Sequence, residues 1–287
     1  MINYRKRNEI NEMRWNALVE QHPTGLPYAY TWYLDIVCPD WSAFVYGDYE
    51  AVMPLPIAQK FVVNYVYQPN YCQQLGVFAL NDDVQVFDAF YTALRKKFWF
   101  FHVQQNPVFP SNKDLPGFKE KTNLTLSLQP SYAEIQQQYS ESTKRNVNRG
   151  KKLSLIYSVD EMSTRRFVEV YSANTIGVPK TKITELIKTL SAQGMLSLLS
   201  VKSEFLEVLA ADVVIKTPKR LVHLIPVTTP NGRTQGAMHF LIDQLIQQYA
   251  GTDMVLDFEG SSVENIARFY KSFGATEENF FDIRKRI

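Results

Sequence analysis

The sequence predicts an α/β (α+β) protein of two lobes, each a mixed, mostly antiparallel sheet flanked by helices. Three observations predict it. Helix-spaced and strand-like runs recur in the same order in both halves of the 287 residues. Links between successive strand-like runs are short, which favours antiparallel meanders over crossover connections. A connector rich in Pro, Gly, Asn and Asp, "NPVFPSNKDLPG", separates the halves and places the seam within 106–130. The lobes are assigned to 1–120 and 121–287.

In the first half, helical spacing runs near 8–20 and 29–37. Strand-like runs follow at 42–47 (SAFVYG), 50–57 (EAVMPLPI) and 62–67 (VVNYVY). Val84, Phe87, Phe90 and Leu94 recur at three- and four-residue intervals and predict a helix over 83–97. "FWFFHVQ" (98–104) reads as a buried strand, and "NLTLSL" alternates like another. In the second half, 131–150 and 160–192 are mostly helical, and strands are expected at 195–201, 206–215 and 220–227. A helix spans about 234–249, followed by a strand at 253–258, a helix at 262–273 and a last strand near 278–285.

Hydrophobic residues make up 45% of the chain, typical of a packed protein. The formal net charge of +2 gives no global attraction to nucleic acid, so any basic site is local and DNA is not an expected partner. Two cysteines, Cys38 and Cys72, and four scattered histidines support neither a disulfide framework nor a metal centre. No run approaches about 18 apolar residues, so no transmembrane segment is expected. The N-terminal stretch lacks the apolar core of a signal peptide. A reduced, cytoplasmic protein is expected, in which the sequon at Asn123 has no glycosylation role.

The stretch "VLDFEGSSVENIARFYKSFGA" (255–275) draws attention first. Asp257 and Glu259 alternate with Phe258, so both carboxylates leave the strand on one face. Ser261 to Glu264 fits a capping box, and Gly274 suits a left-handed helix end. Ile266, Phe269, Tyr270 and Phe273 form an apolar stripe. Taken as plain structure, this is a capped helix beside a surface strand end.

The same residues resemble a known family. "ENIARFYKSFGA" is similar to the last motif of the GNAT N-acyltransferases, with Asn265, Tyr270 and Gly274 matching in spacing and Ala275 departing from the usual Phe. A strand ending Asp-Phe-Glu-Gly before an Arg-Phe-Tyr-Lys-x-Phe-Gly helix resembles the second lobe of Fem-type aminoacyltransferases, which add amino acids to peptidoglycan precursors. That family is built of two GNAT lobes, in agreement with the repeated element order. The resemblance is strongest over 130–275. It implies transfer of an acyl or aminoacyl group from acyl-CoA or aminoacyl-tRNA, used as a co-substrate with no covalently bound cofactor, to an amine. That amine sits on a small-molecule or lipid-linked acceptor, possible cell-wall or envelope precursors among them.

Amide formation needs the amine deprotonated, the oxyanion stabilised and the leaving group neutralised. Asp257 and Glu259 are the expected groups at the amine. Tyr270 matches the GNAT tyrosine that protonates a leaving thiolate, and Lys271 stands where Fem-type enzymes carry a basic residue near the donor. "NGRTQGAMHF" (231–240) matches the GNAT donor loop through Arg233, Thr234, Gln235 and Gly236, where backbone amides at a helix start hold phosphates. Met238 replaces the last small residue of that loop. Lys144 and Arg145 head a basic run without acidic residues from Ser142 to Val159, suited to a phosphate-rich donor such as tRNA or equally to a solvated helix face. Tyr67, Tyr71, Gln73 and Gln74 cluster around a Pro-Asn turn that can line an acceptor cleft or form a strand edge. Cys72 has no base partner in the sequence, so direct transfer without a covalent intermediate is expected. Two other readings stay open: a GNAT-fold binding protein that lost catalysis, for which Met238 argues, and an RNA-binding module using the basic run.

Overall fold

The computed structural model describes residues 1–81, 83–108, 117–175, 179–260 and 263–285. The chain divides into two compact units, Met1–Thr122 with Glu278–Ile287 and Asn123–Glu277.

The first unit opens with β1 (Ile2–Lys6), α1 (Glu12–Gln21) and α2 (Thr31–Val37). An antiparallel meander follows: β2 (Trp41–Tyr46), β3 (Ala51–Lys60) and β4 (Val63–Val66), with the short β5 (Phe78–Ala79) against β3. β1 was not expected from sequence, since its residues are almost all exposed and show no alternation. It pairs antiparallel with β2, Ile2 opposite Tyr46. α3 (Val84–Lys97) starts at Asp83, whose carboxylate accepts from Gln85 N at 2.8 Å, and ends in Arg95, Lys96 and Lys97, which suit the negative end of the helix dipole. It buries Val86, Phe87, Phe90, Tyr91 and Leu94 in one core with Met53, Leu55 and Val103. β6 (Phe101–Gln105) and then β7 (Phe118–Ser127) follow, β7 crossing into the second unit.

The second unit continues with α4 (Tyr132–Gln137), α5 (Glu141–Lys152), β8 (Ile156–Val159), α6 (Thr164–Asn174) and α7 (Lys180–Ala192). Next come β9 (Leu196–Lys202), β10 (Val208–Lys216), β11 (Arg220–His223) and β12 (Val227–Thr228). The expected single helix at 234–249 is two, α8 (Pro230–Gln235) and α9 (Ala237–Tyr249), because Gly236 adopts φ +72° between them. β13 (Val255–Asp257), α10 (Glu264–Lys271) and β14 (Thr276–Lys285) complete the chain. The Ser261 cap expected for α10 lies outside the described residues. Strand order is β7-β13-β11-β10-β9-β8, antiparallel except where β11 and β13 run parallel. α5 and α9 pack together over this sheet, Val147, Phe240, Leu241 and Leu245 sharing a core with Leu199 and Leu256.

The last strand corrects the expected boundary. Glu278–Ile287 was assigned to the second lobe but groups with the first, because β14 pairs antiparallel with β6, Phe281 opposite Gln105 and Lys285 opposite Phe101. Asp282 fixes that pairing. It accepts from Arg284 Nε at 2.6 Å and Nη2 at 2.7 Å, and it meets Lys121 at 3.1 Å and His102 at 3.3 Å. Burial alone would raise its pKa, but the Arg284 and Lys121 bonds outweigh it and hold the carboxyl down at about 2.

Two measurements check these contacts. A group with its folded pKa depressed stabilises fully above its unfolded pKa, about 3.9, and loses that contribution as pH falls towards 2. Asp282→Asn is therefore expected to lower the Tm at pH 7 by at least about 3 °C and to flatten the fall in Tm between pH 4 and pH 2. Equal melting curves across that window would remove the network from the account. At Gly232 in α8, an added Cβ would stand 2.0 Å from the Leu209 carbonyl oxygen of β10. Calorimetry of Gly232→Ala should show a drop of about 5 °C or more.

Candidate functional site

The site starts at a bulge in a strand. β11 and β12 run in the same direction along one side of β10, His223 opposite Val214 and Val227 opposite Ala211. Between them the chain bulges by one residue: Leu224 N donates to Val213 O at 3.1 Å and Val213 N to Ile225 O at 3.4 Å, and Pro226, which follows, has no N–H to donate. His223, Pro226, Val227 and Thr228 line the opening so formed. Thr229 then caps α8, its hydroxyl accepting from Gly232 N at 3.0 Å, with Pro230 at the first helical position.

The opening is one wall of a cleft of about 480 Å³ within the second unit. Its other walls are Gly232 and Arg233 of α8, Gly236 to His239 at the start of α9, and Asn265, Ile266, Phe269 and Tyr270 on one face of α10. The first turn of α9 has backbone N–H groups beyond the reach of intrahelical acceptors and the positive end of the helix dipole. That volume lies within the usual range for small-molecule sites.

Beside this helix start stand two ionisable side chains that the sequence reading passed over. Asp212 and His223 are both buried, and His223 Nδ1 lies 2.5 Å from Asp212 Oδ2. His223 Nε2 is buried and has no hydrogen-bond partner. The signal in the sequence was a polar residue inside each of two apolar strands, Asp212 in "LAADVVI" and His223 in "LVHLI". Tyr270 stands edge-on to the imidazole, with ring centroids 5.6 Å apart at 88°, and stacks on Phe258 at 4.5 Å. Burial, reinforced by Asp212 and Glu259, pushes the Tyr270 phenol well above its usual pKa, so it stays protonated. His239 is driven the other way: burial, then Arg149, lower it to about 4, so it is neutral at physiological pH.

Of the expected donor residues, Arg233 and Gly236 line the cleft and Thr234 and Gln235 do not. The Thr234 carbonyl accepts from Arg149 Nη1 at 2.9 Å, and Gln235 Nε2 donates to Asn231 at 2.8 Å, so both residues brace α8. Met238 lines the cleft half-buried. Lys271 pairs with Glu277 at 2.5 Å and Lys144 with Glu141 at 3.0 Å, both at the surface. Arg145 is exposed on α5. None of the three is part of the cleft wall.

The carboxylates expected at the amine are placed differently. Asp257 is fully buried and absent from the cleft wall. One oxygen accepts from Asn123 Nδ2 at 2.9 Å and Glu259 N at 2.8 Å, the other from Arg220 Nη1 at 2.7 Å. It thereby ties β7, β11 and β13 together. Glu259 is half-buried just beyond β13 at φ +55°. In the first unit, the turn carrying Tyr67, Tyr71, Gln73 and Gln74 bonds to itself and its supports. Tyr33 Oη donates to the Tyr71 carbonyl, Gln74 Nε2 to Gln73 Oε1 at 2.7 Å, and Leu75 N to Gln104 O at 2.7 Å. Gln74 is buried, and burial followed by Cys38 raises the Tyr67 phenol. Cys38 and Cys72 are buried thiols. Among the described residues, no group of three His, Cys, Asp or Glu is placed to hold a metal, and no helix is long and apolar enough to cross a membrane.

No family model and no curated protein matches this sequence. Solved structures do. FemX aligns over 96% of this chain and 96% of its own, at a TM-score of 0.69 and 12% identity. A conserved protein of unknown function from Bacteroides thetaiotaomicron aligns over 99% of both chains at 0.63 and 10% identity. L-PGS from Bacillus licheniformis aligns over 96% of this chain and 92% of its own at 0.58 and 12% identity. At such identities the likeness is one of fold, and the fold is the Fem-like one that FemX and L-PGS share.

Proposed function

We propose that the protein is an N-acyltransferase that moves an acyl or aminoacyl group from an activated donor to an amine, with the second unit's cleft as the reaction site. The observation that carries this reading is the buried Asp212–His223 pair, whose unpartnered Nε2 is covered just behind the wall of a cleft that also holds the start of α9 and Tyr270. His223 is assigned as the base in place of Asp257, because both oxygens of Asp257 are committed to Arg220, Asn123 and the Glu259 amide.

In this reading the donor's carbonyl carbon lies between His223 and the α9 N-terminus. His223 Nε2 takes the proton from the acceptor amine, and Asp212, a positioning residue, holds the imidazole in the competent tautomer and stabilises the imidazolium. The nitrogen attacks, the C–N bond forms, and the carbonyl oxygen carries negative charge towards the α9 amides. The bond to the leaving thiolate or ribose oxygen breaks, Tyr270 gives that group its proton, and the phenolate recovers one from the nitrogen that becomes the amide, while the proton on His223 passes to solvent. Arg233 and the α9 amides hold the donor's phosphates, which supports either acyl-CoA or aminoacyl-tRNA as co-substrate. Glu259, near enough to Tyr270 to raise its pKa, orients the incoming ammonium. Met238 in the cleft wall favours a slender donor arm. The acceptor is a small-molecule or lipid-linked amine, with the Tyr67–Gln74 turn kept as a candidate acceptor contact.

A donor screen tests the class of reaction. Acyl-CoA or aminoacyl-tRNA at about 100 times its Kd should raise the Tm, since that excess corresponds to about 2.7 kcal/mol of linkage. Met238→Gly should strengthen the effect of acyl-CoA if Met238 limits phosphate approach. No response to either donor would leave a binding protein that has lost catalysis as the better account. Asp212→Asn tests the chemistry. It should lower kcat by about 10²–10⁴-fold while the donor KM changes by less than about threefold. A variant with wild-type turnover would exclude the pair from the mechanism.

A further inference from the structure

Away from the cleft, the first unit carries an apolar cluster with no partner in the fold. The turn between β3 and β4 exposes Phe61 and Val62, each 89% accessible, and Trp99 before β6 is 70% accessible. Val62, Trp99, Tyr4 and Lys97 line one depression of about 340 Å³, so the turn, the end of α3 and β1 meet there. Phe61 holds φ +55°, a backbone state where Gly or Asn is usual and a bulky aromatic costs free energy. Nothing inside the unit compensates that cost, because the ring points to solvent.

The segments that form this depression carry charge of one sign. Residues 2–6, 57–66 and 95–101 hold Arg5, Lys6, Lys60, Arg95, Lys96 and Lys97 and not one Asp or Glu, while Asp35 and Asp40 line the adjoining depression on the far side of Tyr4 and Ile57. Lys97 Nζ sits 3.7 Å from the centroid of the Tyr4 ring, leaving its charge beside the apolar cluster. An exposed Trp beside apolar residues, on segments rich in Lys and Arg, is the chemistry of the bilayer–water interface.

From this juxtaposition we infer that the Phe61–Val62 turn and Trp99 dock on an anionic lipid surface, with the rings at headgroup depth and the lysines facing lipid phosphates. A second copy of this chain fits less well, since it would set two basic surfaces against each other. A protein partner fits less well too, because a hairpin turn and one Trp fall short of the roughly 800 Å² per partner that stable interfaces bury. The inference does not rest on acyl transfer and is read without any donor.

The test is co-sedimentation with vesicles of phosphatidylcholine alone and of equal parts phosphatidylcholine and phosphatidylglycerol. The wild type should bind the mixed vesicles at least about tenfold more tightly, and added salt should weaken that binding. Trp15 and Trp41 are buried and Trp32 on α2 is half-buried, so a blue shift of tryptophan emission on binding should be kept in Trp32→Phe and lost in Trp99→Ser. The exposed pair Phe61→Ser/Val62→Ser should leave the Tm unchanged and reduce binding about tenfold. Wild-type protein left in the supernatant with both vesicle types would overturn the inference, as would a double variant that sediments like wild type. Self-association in buffer, lost in the double variant, would assign the patch to a second copy and overturn it equally.

Discussion

The bulge that faces β10 is the constraint on which the candidate site depends. One edge of β10 is shared by two short strands, joined through a bulge at Leu224 and Ile225, and at Pro226 the ladder has no donor to continue it. The extra residue re-aims the side chains that flank it. His223 lines a cleft there, while Asp212 on β10 stays covered. Gly232 allows α8 to sit directly on Leu209, and the left-handed turn at Gly236 re-aims the chain so that α9 begins at the same opening.

Asp257 ties together the strands next to that bulge. Its bonds to Arg220, Asn123 and the Glu259 amide link three strands in the layer beneath the cleft. Removing one partner of such a buried pair leaves an uncompensated charge, which is far costlier than the pair's net contribution. An acidic residue at the end of a strand can therefore look catalytic in sequence while both its oxygens are taken up by neighbouring strands. The Asp212–His223 pair differs, since Nε2 of His223 is left without a partner.

The architecture was legible because it rests on periodicity. The Val84–Leu94 spacing, the three-strand meander and the repeated order of elements all survive as α3, β2–β4 and the two units. β1 was not legible, since Arg5 and Lys6 face solvent and its pairing with β2 is set by tertiary register. Of the residues that line the cleft, Tyr270, Arg233 and Gly236 were legible from a local motif. The Asp212–His223 pair was not, because the two residues meet only when β10 and β11 take their antiparallel register. Lys144, Arg145 and Lys271 lie off the cleft wall, since charge runs mark exposed helix faces whether or not a phosphate is near.

The attachment of β14 to β6 has a consequence for the protein's birth. Phe281 is joined to Gln105 in the finished fold, yet the ribosome adds it roughly ten seconds or more later at ordinary elongation rates. During that interval the nascent first unit presents one bare edge of β6, with backbone groups ready to pair with any extended segment nearby. The second unit, continuous from Asn123 to Glu277, completes its own sheet meanwhile. Closure of the earlier-made half thus waits on the later-made one, and a chain stalled short of β14 would be left sticky at its centre rather than at its tail.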